Sequence, residues 1–293
     1  MALQSFISTL SLYSVDEIDG CILVKDPTTF SLSEYSRYKY GASRVGERYG
    51  QALCEKFLRA FFHLVVSRQL LITSSPYKTI PTSSLCIAQS FCRTLNQWRC
   101  RMGFAPSQLT KIGRATLSAG DYGVLSKEQR ISRMKRNRLS FDTTLLAHAD
   151  LVVVDDIKVT GAHQQCIMSH IEQLSLTSLT FLYVVECCHS HKEVCNPQIE
   201  DHLNHISVHT LADMIDIIRS PDFFFNVRMC KFILNEVNRA DLPAFLQQMT
   251  DQFVAFLYHM SLKDGYGHMN MYRESVQMVA SELQQRGLEG SSL

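Results

Sequence analysis

The chain reads as an α/β protein, a parallel-sheet core with helices on both faces, followed by an α-helical C-terminal region. Three observations predict this. Short continuous apolar runs, "QLLITSS" (69–75), Leu151–Val154 and "LTFLYVVEC" (179–187), suit strands buried on both faces. Segments of 3.6-residue periodicity separate them, the pattern of crossover-connected parallel strands. After about residue 195 the strand runs stop and only helical periodicity remains.

Each element follows from its own residues. From Ser43 to about Val66, the apolar positions Val45, Tyr49, Ala52, Leu53, Phe57, Ala60, Phe61 and Leu64 recur at helical spacing. "QLLITSS" is the next strand, and "PYKTIPTSS", with Pro76 and Pro81, is a loop. Ser84 opens a second helix with Leu85, Ala88, Cys92 and Leu95 on one face. "LTKIGRATL" (109–117) reads as a strand, and "SKEQRISRMKRNR" (126–138) as a basic helix or loop. "GAHQQCIMSHIEQL" (161–174) is the helix that follows the Leu151–Val154 strand. Four further segments, 209–220, 221–240, 242–263 and 271–287, are helical by period, with Pro243 placed as a helix start favours. The expected division is an α/β domain over 1–195, its first 42 residues a hood or entry region, and a helical region over 196–293.

Composition narrows the function classes. A chain of 293 residues, 46% hydrophobic and 19% charged, has enough apolar material for a sizeable core. The net charge of +1 gives no overall attraction to nucleic acid or to an anionic membrane. The most apolar helical stretch, 57–72, is interrupted by Arg59, His63 and Arg68, so it reads as core rather than as a membrane span. The first twenty residues lack the basic start of a signal peptide. Ten cysteines without such a segment suggest free thiols in a reducing compartment, and hence a cytoplasmic protein.

The stretch "LVVVDDIKVTGAH" (151–163) carries the chemistry. Ligands of an open α/β sheet bind beyond the carboxyl ends of its strands, where Asp155 and Asp156 stand. Two carboxylates there accept hydrogen bonds from vicinal hydroxyls or hold a hydrated divalent cation. Side chains alternate along a strand, so the two acids diverge unless the strand has already ended. The small-residue loop after them leads into a helix whose first N–H groups, with the Thr160 hydroxyl, form an anion cradle. Hydroxyls on one side and phosphate on the other describe a ribose 5-phosphate. The bland alternative is a solvated loop after a strand.

"VVVDDIKVTGAH" is similar to the phosphoribosyl pyrophosphate signature of the type I phosphoribosyltransferases, and the element order over 43–190 is compatible with that fold. "FSLSEYSRYKYG" (30–41), "DDIKVTGAH" and "NVRMCKFIL" (226–234) also resemble a bacterial phosphoribosyltransferase-like group found in tellurium-resistance-type gene clusters, a likeness that extends over most of the chain.

The resemblance implies that Asp155 and Asp156 bind the ribose hydroxyls, directly or through Mg²⁺. Val159, Thr160, Gly161, Ala162 and His163 would then enclose the 5-phosphate. Val159 and His163 depart from the usual residues of the signature, but neither change affects binding through backbone amides. The loop after the first core strand would hold pyrophosphate through Ser74, Ser75, Lys78 and Thr79, although an ordinary polar turn explains the same residues. A basic flexible loop would close over the site, with Arg133 and Arg136 as its candidates within 126–138. A solvated face or an RNA patch explains that charge equally well.

The implied activity is Mg²⁺-dependent transfer of ribose 5-phosphate from phosphoribosyl pyrophosphate to a nitrogenous acceptor. A non-catalytic regulatory protein that binds phosphoribosyl pyrophosphate or a nucleotide is the alternative. The expected partners are small molecules, with nucleic acid and membrane disfavoured and a homodimer as a possible assembly.

Three further stretches are candidates. In "YSRYKYGASR" (35–44), Arg37, Lys39 or Arg44 could reach phosphate and a tyrosine could stack on a base, or the tyrosines could simply pack before the first helix. In "CCHSHKEVC", Cys187, Cys188, His189, His191 and Cys195 are suitable zinc ligands, but their spacing lacks the paired halves of a zinc site. Phe223, Phe224, Phe225 and Met229 read as helix core.

Overall fold

The computed structural model describes residues 7–18, 21–25, 30–115, 138–172, 174–187 and 198–288. Its strands are β1 (Ile7–Ile18), β2 (Cys21–Val24), β3 (Leu70–Ser74), β4 (Gln108–Leu109), β5 (Gly113–Arg114), β6 (Leu139–Ser140), β7 (Asp150–Lys158) and β8 (Ser178–Cys187). The helices of the α/β part are α1 (Leu32–Lys39), α2 (Ser43–Ala60), α3 (Phe62–Val65), α4 (Ser84–Arg101), α5 (Thr143–Leu146) and α6 (Ala162–Ile171). Beyond it come α7 (Ile199–Asn204), α8 (Leu211–Arg219), α9 (Val227–Leu234), α10 (Leu242–Gln247), α11 (Asp251–Asp264) and α12 (Asn270–Gln285).

The main sheet has the order β2-β1-β8-β7-β3-β4. All its neighbours pair in parallel except β2, which returns antiparallel on β1. The buried run of β7 shows why it is central. Val152 and Val154 enter the core that α2 and α4 cover with Leu53, Phe57, Phe91 and Leu95. Leu151 and Val153 enter the opposite core, closed by Ile167 and Ile171 of α6. Helices on both faces thus follow from a strand whose run Leu151–Val154 is apolar at every position.

Several elements differ from the sequence reading. Residues 7–18 form a sheet strand, because β8 offers them a parallel partner that local pattern does not reveal. The long helix from Ser43 stops at Ala60, where Phe61 leaves helical geometry, and resumes only as the short α3. "LTKIGRATL" contributes two short strands in different sheets, not one strand. Phe223–Phe225 precede α9 instead of lying in it. Asn226 caps the helix by accepting the Met229 N–H, and Phe223 makes an antiparallel bridge to Ala42. The 242–263 segment is two helices, divided where the Thr250 hydroxyl caps α11.

The helical region has its own core, and Tyr40 and Ile80 of the α/β part belong to it. Backbone hydrogen bonds seam the two parts, from Phe224 to Gly41, from Ser43 to Asp222 and from Val227 to Pro81. Gly41 is required at this seam. Its φ is +117°, and an added Cβ would meet the Phe224 carbonyl oxygen at 2.7 Å. The buried carboxylate of Asp264 accepts the N–H groups of Thr79 (2.9 Å) and Ile80 (3.3 Å), so α11 holds the loop after β3. Among the described residues, no helix is long and apolar enough to cross a membrane, and Cys54, Cys86, Cys92, Cys166, Cys187 and Cys230 are buried and outside any disulfide.

Candidate functional site

A cavity of about 450 Å³ opens at the carboxyl ends of β3, β7 and β8, beneath the helical region. That volume lies within the range of small-molecule sites, roughly 300–1,000 Å³. Strand β7 continues through both acids to Lys158, so they diverge as alternation requires. Asp155 follows Leu151 and Val153 towards α6, and Asp156 follows Val152 and Val154 towards α1 and α4.

Each acid therefore meets a different partner. One oxygen of Asp155 accepts the Asp156 N–H at 2.9 Å, and the other lies 2.9 Å from His163 Nδ1 in the first turn of α6. Burial pushes the Asp155 carboxyl up. The hydrogen bond and charge of His163, with Ser75 and the Asp156 amide, outweigh burial and hold it below its ordinary value. Asp156 takes the Lys39 ammonium at 2.6 Å and the Ser83 hydroxyl at 2.8 Å on the same oxygen. Burial, and then the charge of Asp156, push the Tyr35 and Tyr38 phenols well up, so both stay neutral.

Lys39 links the sheet to the helical region. It is only 3% exposed, and its ammonium also lies 4.0 Å from Glu200 of α7. Glu200 in turn stands 3.4 Å from Arg228 of α9. The charge order is Asp156, Lys39, Glu200, Arg228, alternating in sign across the cavity wall.

The loop after β7 is a tight turn into a helix start. Gly161 caps α6 in the left-handed conformation (φ 71°) and turns the chain sharply into the helix. The Thr160 hydroxyl lies 3.4 Å from the Ala162 N–H. The loop's exposed side meets the cavity, which residues 155–164 line without interruption.

Of the residues singled out by sequence, Asp155, Asp156, Val159, Thr160, Gly161, Ala162, His163 and Ser75 line one cavity. Ser74 is buried, and its hydroxyl donates to the Ser75 carbonyl. Lys78 and Thr79 lie outside the lining. The Lys78 carbonyl accepts the Lys111 ammonium at 2.5 Å, and the Thr79 amide is held by Asp264. Arg133 and Arg136, with nearly all of the basic run, lie outside the described residues, as do Cys188, His189, His191 and Cys195.

Of Arg37, Lys39 and Arg44, only Lys39 reaches the cavity. Tyr35, Tyr38 and Tyr49 form a buried aromatic cluster with Tyr13 and Phe30 and are core, whereas Tyr40 lines the cavity. Sequence reasoning missed Thr82, Ser83, Arg114, Tyr183, Glu200, His205 and Tyr272. Thr82 and Ser83 carried a weak signal, as part of a quoted loop of small polar residues. The rest are brought in by distant elements.

As ligands of a divalent cation, which the resemblance implies, the two carboxylates do not fit. Three of their four oxygens already accept from Lys39, Ser83, His163 or the Asp156 amide. A dication about 4 Å from the Lys39 ammonium would be opposed by roughly 8 kcal/mol at an effective dielectric of 20. Among the described residues, no group of three or more His, Cys, Asp or Glu side chains is arranged to hold a metal ion.

Comparison with solved structures gives many distant likenesses, including the three that follow. A hypoxanthine phosphoribosyltransferase from Staphylococcus aureus is 12% identical over 50% of this chain and 71% of its own, with a TM-score of 0.33. The hypoxanthine phosphoribosyltransferase of Trypanosoma cruzi is 14% identical, over 53% and 70%, with a TM-score of 0.35. A hypothetical protein from Neisseria gonorrhoeae with bound ppGpp is 12% identical, over 53% and 74%, with a TM-score of 0.31. At such distances these likenesses carry no functional argument. No curated protein matches. The PRTase ComF-like family matches residues 7–279, both the sheet and the helical region, and the chain belongs to that family.

Proposed function

We propose that this protein is a phosphoribosyltransferase, moving ribose 5-phosphate from phosphoribosyl pyrophosphate to a nitrogenous acceptor with release of pyrophosphate. The observation that carries this reading is the shared cavity of Asp155, Asp156 and the Val159–His163 turn. The turn would hold the 5-phosphate through its amides and the Thr160 hydroxyl, and the acids would accept the ribose hydroxyls. In the transfer, the anomeric carbon's bond to the pyrophosphate oxygen breaks, its bond to the acceptor nitrogen forms, and the acceptor's proton passes to solvent. Positive charge gathers on the ribose ring as the leaving group departs, and two buried carboxylates beside the ring oppose it. Positioning supplies the rest.

The carboxylates do not fit a directly bound Mg²⁺, so the chain's own residues balance the charge at the ribose. On this reading the protein is a cytoplasmic homodimer, its chain divided at about residue 195, and is akin to the group from tellurium-resistance-type gene clusters.

A second reading has its own support. Both acids already have partners within the chain, which suits a protein that binds phosphoribosyl pyrophosphate or a nucleotide without turnover.

Calorimetric titration of phosphoribosyl pyrophosphate, combined with pyrophosphate release over a panel of bases, separates the two readings. Binding that is lost in an Asp155→Asn/Asp156→Asn variant, together with release in the wild type, supports the enzyme. Binding without release from any base supports the binding protein. No binding by folded wild type at millimolar ligand overturns both.

A further inference from the structure

We infer that Lys39 is a resident cation at the ribose acids, holding beside Asp156 the place a divalent metal would take, so that the site accepts a phosphoribosyl ligand without metal. The inference rests on the proposed reading for the identity of the ligand, but not for the position of the ammonium.

The placement of Lys39 is built rather than incidental. It is the last residue of α1, a helix whose start is fixed by the Ser31 hydroxyl accepting the Glu34 N–H. The ammonium would be expelled from so buried a position unless anions held it there. Two do so, from different parts of the molecule, Asp156 at 2.6 Å and Glu200 at 4.0 Å. One turn back along α1, the Tyr35 ring centroid lies 5.8 Å from the ammonium, a further favourable contact for a cation. Ser83 completes the Asp156 oxygen on its other side.

The consequence for a ligand is chemical. With Lys39 in place, Asp156 has its counter-charge within the chain, and a ribose hydroxyl needs only to donate to it. A metal ion would have to evict the ammonium or lie against it. A purely structural ion pair makes a different prediction. Losing it would lower stability and leave the metal requirement of binding unchanged.

The test uses the full chain as wild type, Lys39→Met and Lys39→Arg. Ribose 5-phosphate is the probe, because it lacks the diphosphate that itself binds magnesium. Wild type and Lys39→Arg are expected to bind it equally, within about twofold, in excess EDTA and in millimolar Mg²⁺. Lys39→Met is expected to lose at least tenfold in EDTA and to recover with Mg²⁺.

In a second arm without sugar, Mn²⁺ binding is read by electron paramagnetic resonance. Wild type is expected to take up none at the acids. Lys39→Met is expected to take up one ion, and to lose it when Asp156→Asn is added. Wild-type binding that needs Mg²⁺, a wild-type Mn²⁺ site removed by Asp156→Asn, or a folded Lys39→Met without a Mn²⁺ site would each overturn the inference. Should Lys39→Met not fold, the wild-type comparisons alone decide. If ribose 5-phosphate binds in neither buffer, the proposed function fails, and the Mn²⁺ arm still decides the role of Lys39.

Discussion

His163 Nδ1 lies 2.9 Å from Asp155 Oδ2 and ties the first turn of α6 to the strand that precedes it. The contact sets the direction of the Asp155 shift, since burial alone would raise that carboxyl. A carboxyl held low in the folded state stabilises the protein above its unfolded value. That contribution is lost as the pH falls through the folded value. In His163→Ala, burial is less opposed, so Asp155 should take up its proton at higher pH. Urea unfolding between pH 3 and 7 should show the acid limb of stability moved upwards, with about 1.5–3 kcal/mol lost at neutral pH for a hydrogen bond to a charged group. An unmoved acid limb would remove His163 from its assigned role.

Asp264 makes a second long-range tie, to the loop after β3. Asp264→Ala leaves the Thr79 and Ile80 N–H groups buried without their acceptor, a loss of about 2–4 kcal/mol for two such groups. The loop should become the first site of limited proteolysis. Asp264→Asn keeps one acceptor and should lose less. Equal stability of wild type and Asp264→Ala in chemical denaturation would refute the tie.

Gly161 allows a test of backbone cost without a steric one. An added Cβ meets only the end of the Lys158 side chain, at 3.9 Å, so the penalty of Gly161→Ala comes from its φ of +71°. That penalty is about 1–2 kcal/mol. Gly161→Asn should recover part of it, because Asn tolerates the left-handed region. Thermal denaturation of the two variants ranks them, and an alanine variant as stable as wild type would contradict the cap geometry.

His205 lines the cavity and lies 3.2 Å from Asp201. The hydrogen bond that its imidazole donates to the Asp201 carboxylate raises its pKa above 6.5, against a smaller opposing effect of burial. A raised folded value means that the stabilisation is complete below 6.5 and is lost as the pH rises through the folded value. The stability difference between wild type and His205→Gln should therefore be largest near pH 5.5 and shrink by pH 8.5. A difference independent of pH across that range would show that the imidazole is not held in its charged form.

Legibility in the sequence followed the range of the interactions. Strands β3, β7 and β8 were readable because burial on both faces leaves an uninterrupted apolar run. The Asp155–His163 stretch was readable because one strand, one loop and one helix start supply all of it. Strand β1 was not, since "ISTLSLYSVDEI" mixes polar and apolar residues and only its place beside β8 makes it sheet. Helical period over 221–240 was misleading at Phe223–Phe225, where the capping of Asn226 and the bridge to Ala42 fix an extended chain. Lys39 could be named as a basic residue near the site, but its partner Asp156 is 117 positions away. Glu200, His205 and Arg114 had no local signal at all.

The position of β1 also sets a timetable for assembly. The Ser11 hydroxyl donates to Glu186, and 175 residues separate the two. At a ribosomal rate of roughly 5–20 residues per second, the first strand waits on the order of 10–35 s for the partner against which it lies. Closing so long a span is also slow for a free chain. Until β8 emerges, the nascent chain carries an unpaired strand end, which makes that interval the one in which a chaperone would find it.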